Sequence, residues 1–227
     1  GVMRQTLLYG GLESIAHNIN RRSADLRLYE FGNVYFRDPA KESSKEKPLA
    51  PFSEGMRLGI WLTGNFRNAS WNSTAEKASI FDLKAIVEGI FHRLCIPGGL
   101  LVFNQKHTPI YSAALEISTR DGHHLATLGI VRRDALKKFD IEQDVCYAEI
   151  AWPEIMRLTL RSNTQYTDVP RTQPVVRDLA LLLDNSVTFE QVEACVRASE
   201  RKLLRGVSLF DVYEGEHLPE GKKSYAI

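Results

Sequence analysis

Near the end of the chain an aromatic ring stands close to two short hydrogen-bonding side chains. Asp211 and Tyr213 share the run Leu209-Phe-Asp-Val-Tyr213, and Ser224 follows beyond a short polar stretch. If residues 207–213 form a strand, alternation puts Val207, Leu209, Asp211 and Tyr213 on one face and Ser208, Phe210 and Val212 on the other. Phe210 and Val212 suit a face covered by helices, which leaves Asp211 and Tyr213 on the open one. If Tyr225 and Ile227 also point at the helices, Ser224 joins them. An exposed ring on a sheet can stack on an unpaired base while Asp or Ser bonds to the base edge. The same pattern also describes a surface strand whose tyrosine covers Leu209. Lys222 and Lys223 are candidate phosphate contacts, or simply the charges of a solvated loop. Arg177 reads equally as a phosphate or base contact and as a member of a structural salt bridge.

Other reactive side chains form no recognisable constellation. Cys95, Cys146 and Cys195 are far apart and none belongs to a C-x-x-C, so isolated buried thiols are expected and no metal site. His123 and His124 are adjacent, and neighbours on a strand point to opposite faces; a solvated hairpin tip is expected. No P-loop is present, and no nucleophile, base and orienter can be assembled from linear spacing. No catalytic residue is therefore assigned.

The 227 residues are 44% hydrophobic and 25% charged, enough to bury a core without disulfides or metals. A formal net charge of +1 means that any polyanion must be met by local patches, not by a global field. No apolar run is long enough to span a bilayer and no signal-peptide pattern opens the chain, which fits a cytoplasmic protein.

The elements that must position these residues follow from periodicity. Leu8, Leu12, Ile15 and Ile19 predict a helix closed by Arg21 and Arg22. Residues 26–36 read as two strands about a turn or bulge at Gly32-Asn33, residues 38–55 as a surface loop, and 56–63 as a strand. Leu83, Ile86, Val87, Ile90, Phe91 and Leu94 make a helical stripe over 81–96, ended by Pro97-Gly98-Gly99. A short strand at 101–106, a hairpin over 112–131 turning at Asp121-Gly122, a short helix at 133–138 and a strand at 145–152 follow. Strands without regular crossover helices imply an α+β fold with a mainly antiparallel sheet. Residues 161–173 are polar, aperiodic and read as a linker. Beyond it, a buried strand at 179–183 precedes a helix. Thr188 and Gln191 have capping-box spacing at its start, and Phe189, Val192, Val196, Ser199 and Leu203 line one face. Strands at 207–213 and from 223 complete β-α-β-β, the first part of a ferredoxin-like unit. The strand pattern still runs at Ile227, so this unit is expected to be truncated at its C-terminus and the chain to be a piece of a longer protein.

Several runs carry a family resemblance. Pro174-Val-Val-Arg177-Asp178-Leu-Ala-Leu181, Leu209-Phe-Asp-Val-Tyr-Glu-Gly215 and Leu218-Pro-Glu-Gly-Lys-Lys-Ser-Tyr-Ala226 resemble the anticodon-binding domain of bacterial phenylalanyl-tRNA synthetase beta subunits. Met3-Arg-Gln-Thr-Leu-Leu8, Asn18-Ile-Asn-Arg21, Leu28-Tyr-Glu-Phe-Gly-Asn-Val-Tyr35 and Phe81-Asp-Leu-Lys84 resemble the catalytic-like domain of the same subunit. The resemblance implies a class II synthetase-like domain over 1–160 that has lost its active site, the linker 161–173, and a ferredoxin-like anticodon-binding domain over 174–227. Gly32 to Arg37 is similar to the class II strand bearing a catalytic arginine, but no glycine-rich stretch leading into an arginine follows to complete an ATP site. The family further implies an enzyme joining phenylalanine to tRNA with ATP and magnesium, none of which this segment would hold. Its implied partners are an alpha subunit, in a heterotetramer of two alpha and two beta subunits, and tRNA, with no DNA or membrane. In the family the residue matching Tyr213 stacks on the first anticodon base, and those matching Asp211 and Ser224 help recognise it. A stand-alone RNA-binding or protein-interaction module with an RRM-like tail is the alternative.

Overall fold

The structure is a computed structural model that describes residues 2–160, 166, 168, 172–215 and 218–227. The chain divides into two compact units, Gly1–Gln165 and Tyr166–Ile227. The expected linker at 161–173 lies largely outside the described residues.

In the first unit, helix α1 (Leu8–Ile19) precedes two long strands, β1 (Leu26–Arg37) and β2 (Phe52–Thr63). A small ribbon of β3 (Asn65–Arg67) and β4 (Glu76–Lys77) leads into α2 (Ile80–Arg93). A 3-10 turn at Gly98–Leu100 then opens β5 (Leu101–Gln105), followed by β6 (Tyr111–Thr119) and β7 (His124–Val131). Helix α3 (Arg133–Lys137), strand β8 (Val145–Ala151) and helix α4 (Trp152–Thr159) complete the unit. Six strands form one sheet in the order β1-β2-β8-β7-β6-β5, every neighbouring pair antiparallel. The mainly antiparallel α+β architecture expected from the sequence is thus observed.

The period of two along β2 divides the interior into two cores. Leu58, Ile60 and Leu62 pack with Leu83, Val87 and Phe91 of α2. Trp61 points to the other face, where it packs with Leu8, Leu12 and Ile15 of α1 and with Tyr147. Helix α2 has both a local start and a buried stripe. Ser79 accepts from the Asp82 amide while the Asp82 carboxylate accepts from the Ser79 amide, a capping box. Leu83, Val87 and Phe91, spaced by four, are all buried.

Four details differ from the sequence reading. First, Leu26–Arg37 is one strand, not two; it pairs without interruption against Phe52–Thr63. Gly32 is no turn. It is where Arg4 crosses the strand, with Nε donating to the Asn33 carbonyl at 2.9 Å and Nη1 to Glu30 at 2.7 Å. A Cβ on Gly32 would lie 2.2 Å from the Arg4 guanidinium. Second, the β1–β2 loop ends before Phe52, because the antiparallel ladder extends to the Arg37–Phe52 pair. Third, α4 begins at Trp152, where a strand end was expected; Pro153 stands in its first turn, where a missing amide costs nothing. Fourth, of the three cysteines only Cys146 is buried. Burial, with the Asp144 and Asp82 carboxylates, pushes its thiol up to about 11, so it is no thiolate near neutral pH.

The second unit contains β9 (Ala180–Asp184), α5 (Phe189–Ser199), β10 (Asp211–Tyr213) and β11 (Lys222–Ala226). Its sheet order is β10-β11-β9, both pairs antiparallel, with β11 in the middle. Strand β9 alternates between half-buried and exposed residues and is not the buried strand expected. Helix α5 stops at Ser199, so Leu203 lies beyond it and is exposed. Its N-terminus is the capping box read from the sequence: Thr188 accepts from the Gln191 amide and Gln191 accepts from the Thr188 amide at 3.0 Å. Replacing Thr188 by alanine should cost about 1 kcal/mol, and serine should recover most of it. Urea titration of the three proteins measures this, and equal midpoints for all would remove the cap from the account of α5.

Candidate nucleic-acid interface

The register of the small sheet decides which side chains meet. Tyr213 pairs with Ser224, Ser224 with Leu182, and Asp211 with Ala226. Paired residues share a face, so Asp211, Tyr213, Ser224 and Leu182 stand together. Val212, Tyr225 and Leu181 form a row on the opposite face. That face carries α5: the Phe189 and Tyr225 rings are 6.5 Å apart and Tyr225 is buried. The three residues singled out in the sequence therefore share the side of the sheet away from α5. Tyr213 is 40% exposed and Leu182 is 55% exposed. Among the described residues, no hydrogen bond or ion pair engages the side chains of Asp211, Tyr213 or Ser224.

Two residues not anticipated contribute to this face. Leu182 supplies an apolar floor beside Ser224. Gly215 makes room for the ring, since a Cβ there would lie 2.6 Å from the Tyr213 hydroxyl. The run Tyr213-Glu-Gly215 was visible in the sequence, but nothing local told that the ring folds over the glycine.

The expected strand over 207–213 is shorter than predicted, with only Asp211–Tyr213 in it. The Phe210 amide still donates to the Ala226 carbonyl at 3.0 Å, but Ile227 directs both its backbone groups to Leu179. Among the described residues none pairs with 207–209. Phe210 and Val212, expected on the covered face, are exposed at 60% and 48%.

The basic candidates separate. Lys222 lies on the open face, where its ammonium pairs with Asp184 at 2.7 Å. Lys223 lies on the α5 face and is buried. Its ammonium donates to the Asn185 carbonyl at 3.0 Å and sits 4.8 Å from the Tyr225 ring centroid. It is thus a positioning contact within the unit and not a phosphate contact on the open face. Arg177 is exposed and donates to the Val176 carbonyl at 3.0 Å. Among the described residues it forms no ion pair.

In the first unit a row of polar residues crosses the large sheet on the α1 face, in register through Glu30, Gly59, Glu149, Thr127, Glu116 and Asn104. Glu149 accepts from the Thr6 hydroxyl at 2.6 Å, from the Leu7 amide at 3.0 Å and from the Tyr147 hydroxyl. Burial first, and then the Glu149 carboxylate, push the Tyr147 phenol upward. Glu116 takes the Lys106 ammonium and stands 3.3 Å from His124 Nδ1. Burial holds His124 below its usual range. Each carboxylate is thus already engaged by a protein group. His123 points elsewhere, 3.6 Å from Asp121, and among the described residues no three metal-ligating side chains cluster.

Arg37 is exposed at the end of β1, beside a groove of about 590 Å³ lined by Val2, Met3, Phe36, Leu49 and Phe52. Among the described residues Arg37 is the one cation of that lining, which also includes Glu54. A nucleotide triphosphate with its magnesium needs several cations or carboxylates converging, so these residues do not fit one.

A large antiparallel sheet flanked by helices, followed by a β-α-β-β unit with an open Tyr–Asp–Ser face, defines a two-part α+β protein with a ferredoxin-like second part. A family model described as the phenylalanyl tRNA synthetase beta chain CLM domain matches residues 1–152, and one described as a ferredoxin-fold anticodon binding domain matches residues 170–227. The chain belongs to the phenylalanyl-tRNA synthetase beta chain family. It is 48% identical to a phenylalanine–tRNA ligase beta subunit of Bacteroides fragilis, 46% to that of Bacteroides thetaiotaomicron and 45% to that of Porphyromonas gingivalis. Each match covers 99% of this chain, which spans about 27% of the length of these relatives. A pyrrolysyl tRNA synthetase from Desulfitobacterium hafniense aligns with 70% of this chain and 50% of its own at 12% identity and a TM-score of 0.45. Among the described residues no helix is long and apolar enough to cross a membrane.

Proposed function

We propose that this chain is the tRNA-reading and subunit-packing part of a phenylalanine–tRNA ligase beta subunit. The observation that carries the reading is the open sheet face on which Tyr213, Asp211 and Ser224 stand together, their side chains without a hydrogen bond or ion pair among the described residues. Tyr213 stacks on a splayed anticodon base over the apolar floor of Leu182. Asp211 accepts from the base's exposed N–H groups, and Ser224 donates or accepts at its edge. Arg177 contributes phosphate attraction. We assign residues 1–160 to an inactive class II synthetase-like domain, 161–173 to a linker and 174–227 to the anticodon-binding domain. The engaged carboxylates of Glu149 and Glu116 support the inactive assignment. ATP and magnesium act on the alpha subunit, with which this part packs in a cytoplasmic heterotetramer of two alpha and two beta subunits.

The test is Tyr213→Ala in the full-length beta subunit assembled with its alpha subunit. Loss of a base stack should lower kcat/KM for tRNA by roughly 5- to 150-fold, equivalent to about 1–3 kcal/mol. Tyr213→Phe keeps the ring and should keep most of the activity. Pyrophosphate exchange with ATP and phenylalanine needs no tRNA and should be unchanged in both variants. An alanine variant that charges tRNA as well as the parent would end the base-stacking assignment.

A further inference from the structure

Cations that no carboxylate among the described residues engages lie at one end of the second unit. Strands β9 and β10 both run antiparallel to β11, so they are parallel to each other and begin at the same end. The Leu179–Ile227 and Phe210–Ala226 backbone bonds extend the sheet at that end. Arg177 immediately precedes β9. Arg201, Lys202 and Arg205 lie in the connection that delivers the chain from α5 into β10. All four are exposed, and among the described residues none of the four forms an ion pair. Glu200 shares the connection and stays charged, but among the described residues it pairs with none of these cations. It accepts from the Lys202 and Leu203 amides at 2.7 and 2.9 Å, and these bonds hold its carboxyl below the usual range. Asp178 and Asp211 are the remaining carboxylates near this end.

The opposite end has the reverse charge. Strand β9 finishes at Asp184, Glu214 follows β10, and Glu220 precedes β11. Lys222 is there, already held by Asp184, and Lys223 is turned to the buried face. One end of the small sheet, beside Asp211, is thus basic, and the other, beyond Tyr213, is acidic.

We propose that this gradient fixes the direction in which RNA crosses the face. The phosphate chain enters over Arg177, Arg201, Lys202 and Arg205, and the acidic end repels it. Tyr213 and Asp211 then meet bases whose backbone is held at the basic end. The inference rests on the RNA-binding reading given above and adds to it the site that takes phosphates. Phosphate contacts carry position and salt dependence, whereas base contacts carry sequence preference, so the two can be measured apart.

The experiment uses the full-length beta subunit with its alpha subunit and measures tRNA dissociation constants between 50 and 300 mM KCl, at roughly the range over which counterion release is read. Two tRNAs are compared, one with the phenylalanine anticodon and one with its first anticodon base changed. The triple variant R201A/K202A/R205A should bind both tRNAs more weakly at low salt. Its slope of log Kd against log salt should fall by about 2 to 3, since each phosphate that is no longer neutralised removes ~0.7–0.9 from it, while its preference between the tRNAs is kept. Circular dichroism and melting confirm that these exposed substitutions leave the fold in place. An unchanged slope in the triple variant overturns the inference, as does an equal fall in Lys222→Ala at the opposite end. Tyr213→Ala is run alongside and should lose the anticodon preference while keeping the slope. If that preference survives, the base-reading assignment fails, independently of the slope result.

Discussion

Replacing Trp61 by alanine should destabilise the first unit by about 3–5 kcal/mol, the cost of emptying a large buried aromatic site. Trp61 is 1% exposed and lies between helix α1 and the sheet. Its ring centroid is 4.9 Å from that of Tyr147. Two glycines make space for the indole. A Cβ on Gly11 of α1 would lie 2.1 Å from the ring, and one on Gly59 in β2 would lie 2.5 Å from it. Among the described residues the indole N–H has no hydrogen-bond partner, so the site selects the ring for its volume and not for its polarity. Gly11→Ala separates the packing effect from helix propensity. Alanine favours a helix interior by about 0.8–1.0 kcal/mol over glycine, yet here the clash should reverse the sign and cost about 1–3 kcal/mol. Chemical denaturation followed by far-UV circular dichroism measures both variants, since tryptophan fluorescence changes with the mutation itself. A loss below 1 kcal/mol for Trp61→Ala, or a gain for Gly11→Ala, would show that α1 is not clamped to the sheet through this ring.

What could be read from the sequence was what depends on near neighbours. The α2 stripe and the capping box at Thr188–Gln191 lie within one or two helical turns, and they appear as predicted. The open-face grouping of Asp211, Tyr213 and Ser224 follows from a period of two and was equally legible. The same parity, carried one residue back from Ser224, assigns Lys223 to the α5 face; treating it as a loop residue hid that. The misreadings involve distant partners. Gly32 resembles a turn glycine until Arg4 is seen to cross the strand there. Residues 207–209 have strand-like composition, but a strand needs a hydrogen-bonded neighbour, and among the described residues none pairs with them. The charge gradient along the small sheet likewise needs the parallel relation of β9 and β10, which spacing alone does not give.

The Glu149 hub was the least legible feature, because Thr6, Leu7, Tyr147 and Glu149 meet only across the fold, and it makes a sharp prediction. Its carboxylate is mostly buried and accepts from Thr6, Leu7 and Tyr147, with Arg57 Nε 4.0 Å away. Glu149→Ala would strand the Leu7 amide at the start of α1 and the hydroxyl of Tyr147, both of residues buried from solvent. At about 1–3 kcal/mol for each buried group left unsatisfied, the variant should lose about 3–5 kcal/mol of stability. Glu149→Gln keeps acceptor capacity and should lose less. A double-mutant cycle with Tyr147→Phe locates the cost. Removing the hydroxyl first removes one of the stranded groups, so the double variant should be more stable than the sum of the single losses implies. The result also bears on the inactive assignment of this unit. A carboxylate whose removal costs little in stability is not needed to hold the fold, whereas one fastening α1 to β8 is. A loss under 1 kcal/mol for Glu149→Ala would therefore free this carboxylate for a catalytic role. The expected larger loss identifies it as the fastening that occupies the α1 face of the sheet.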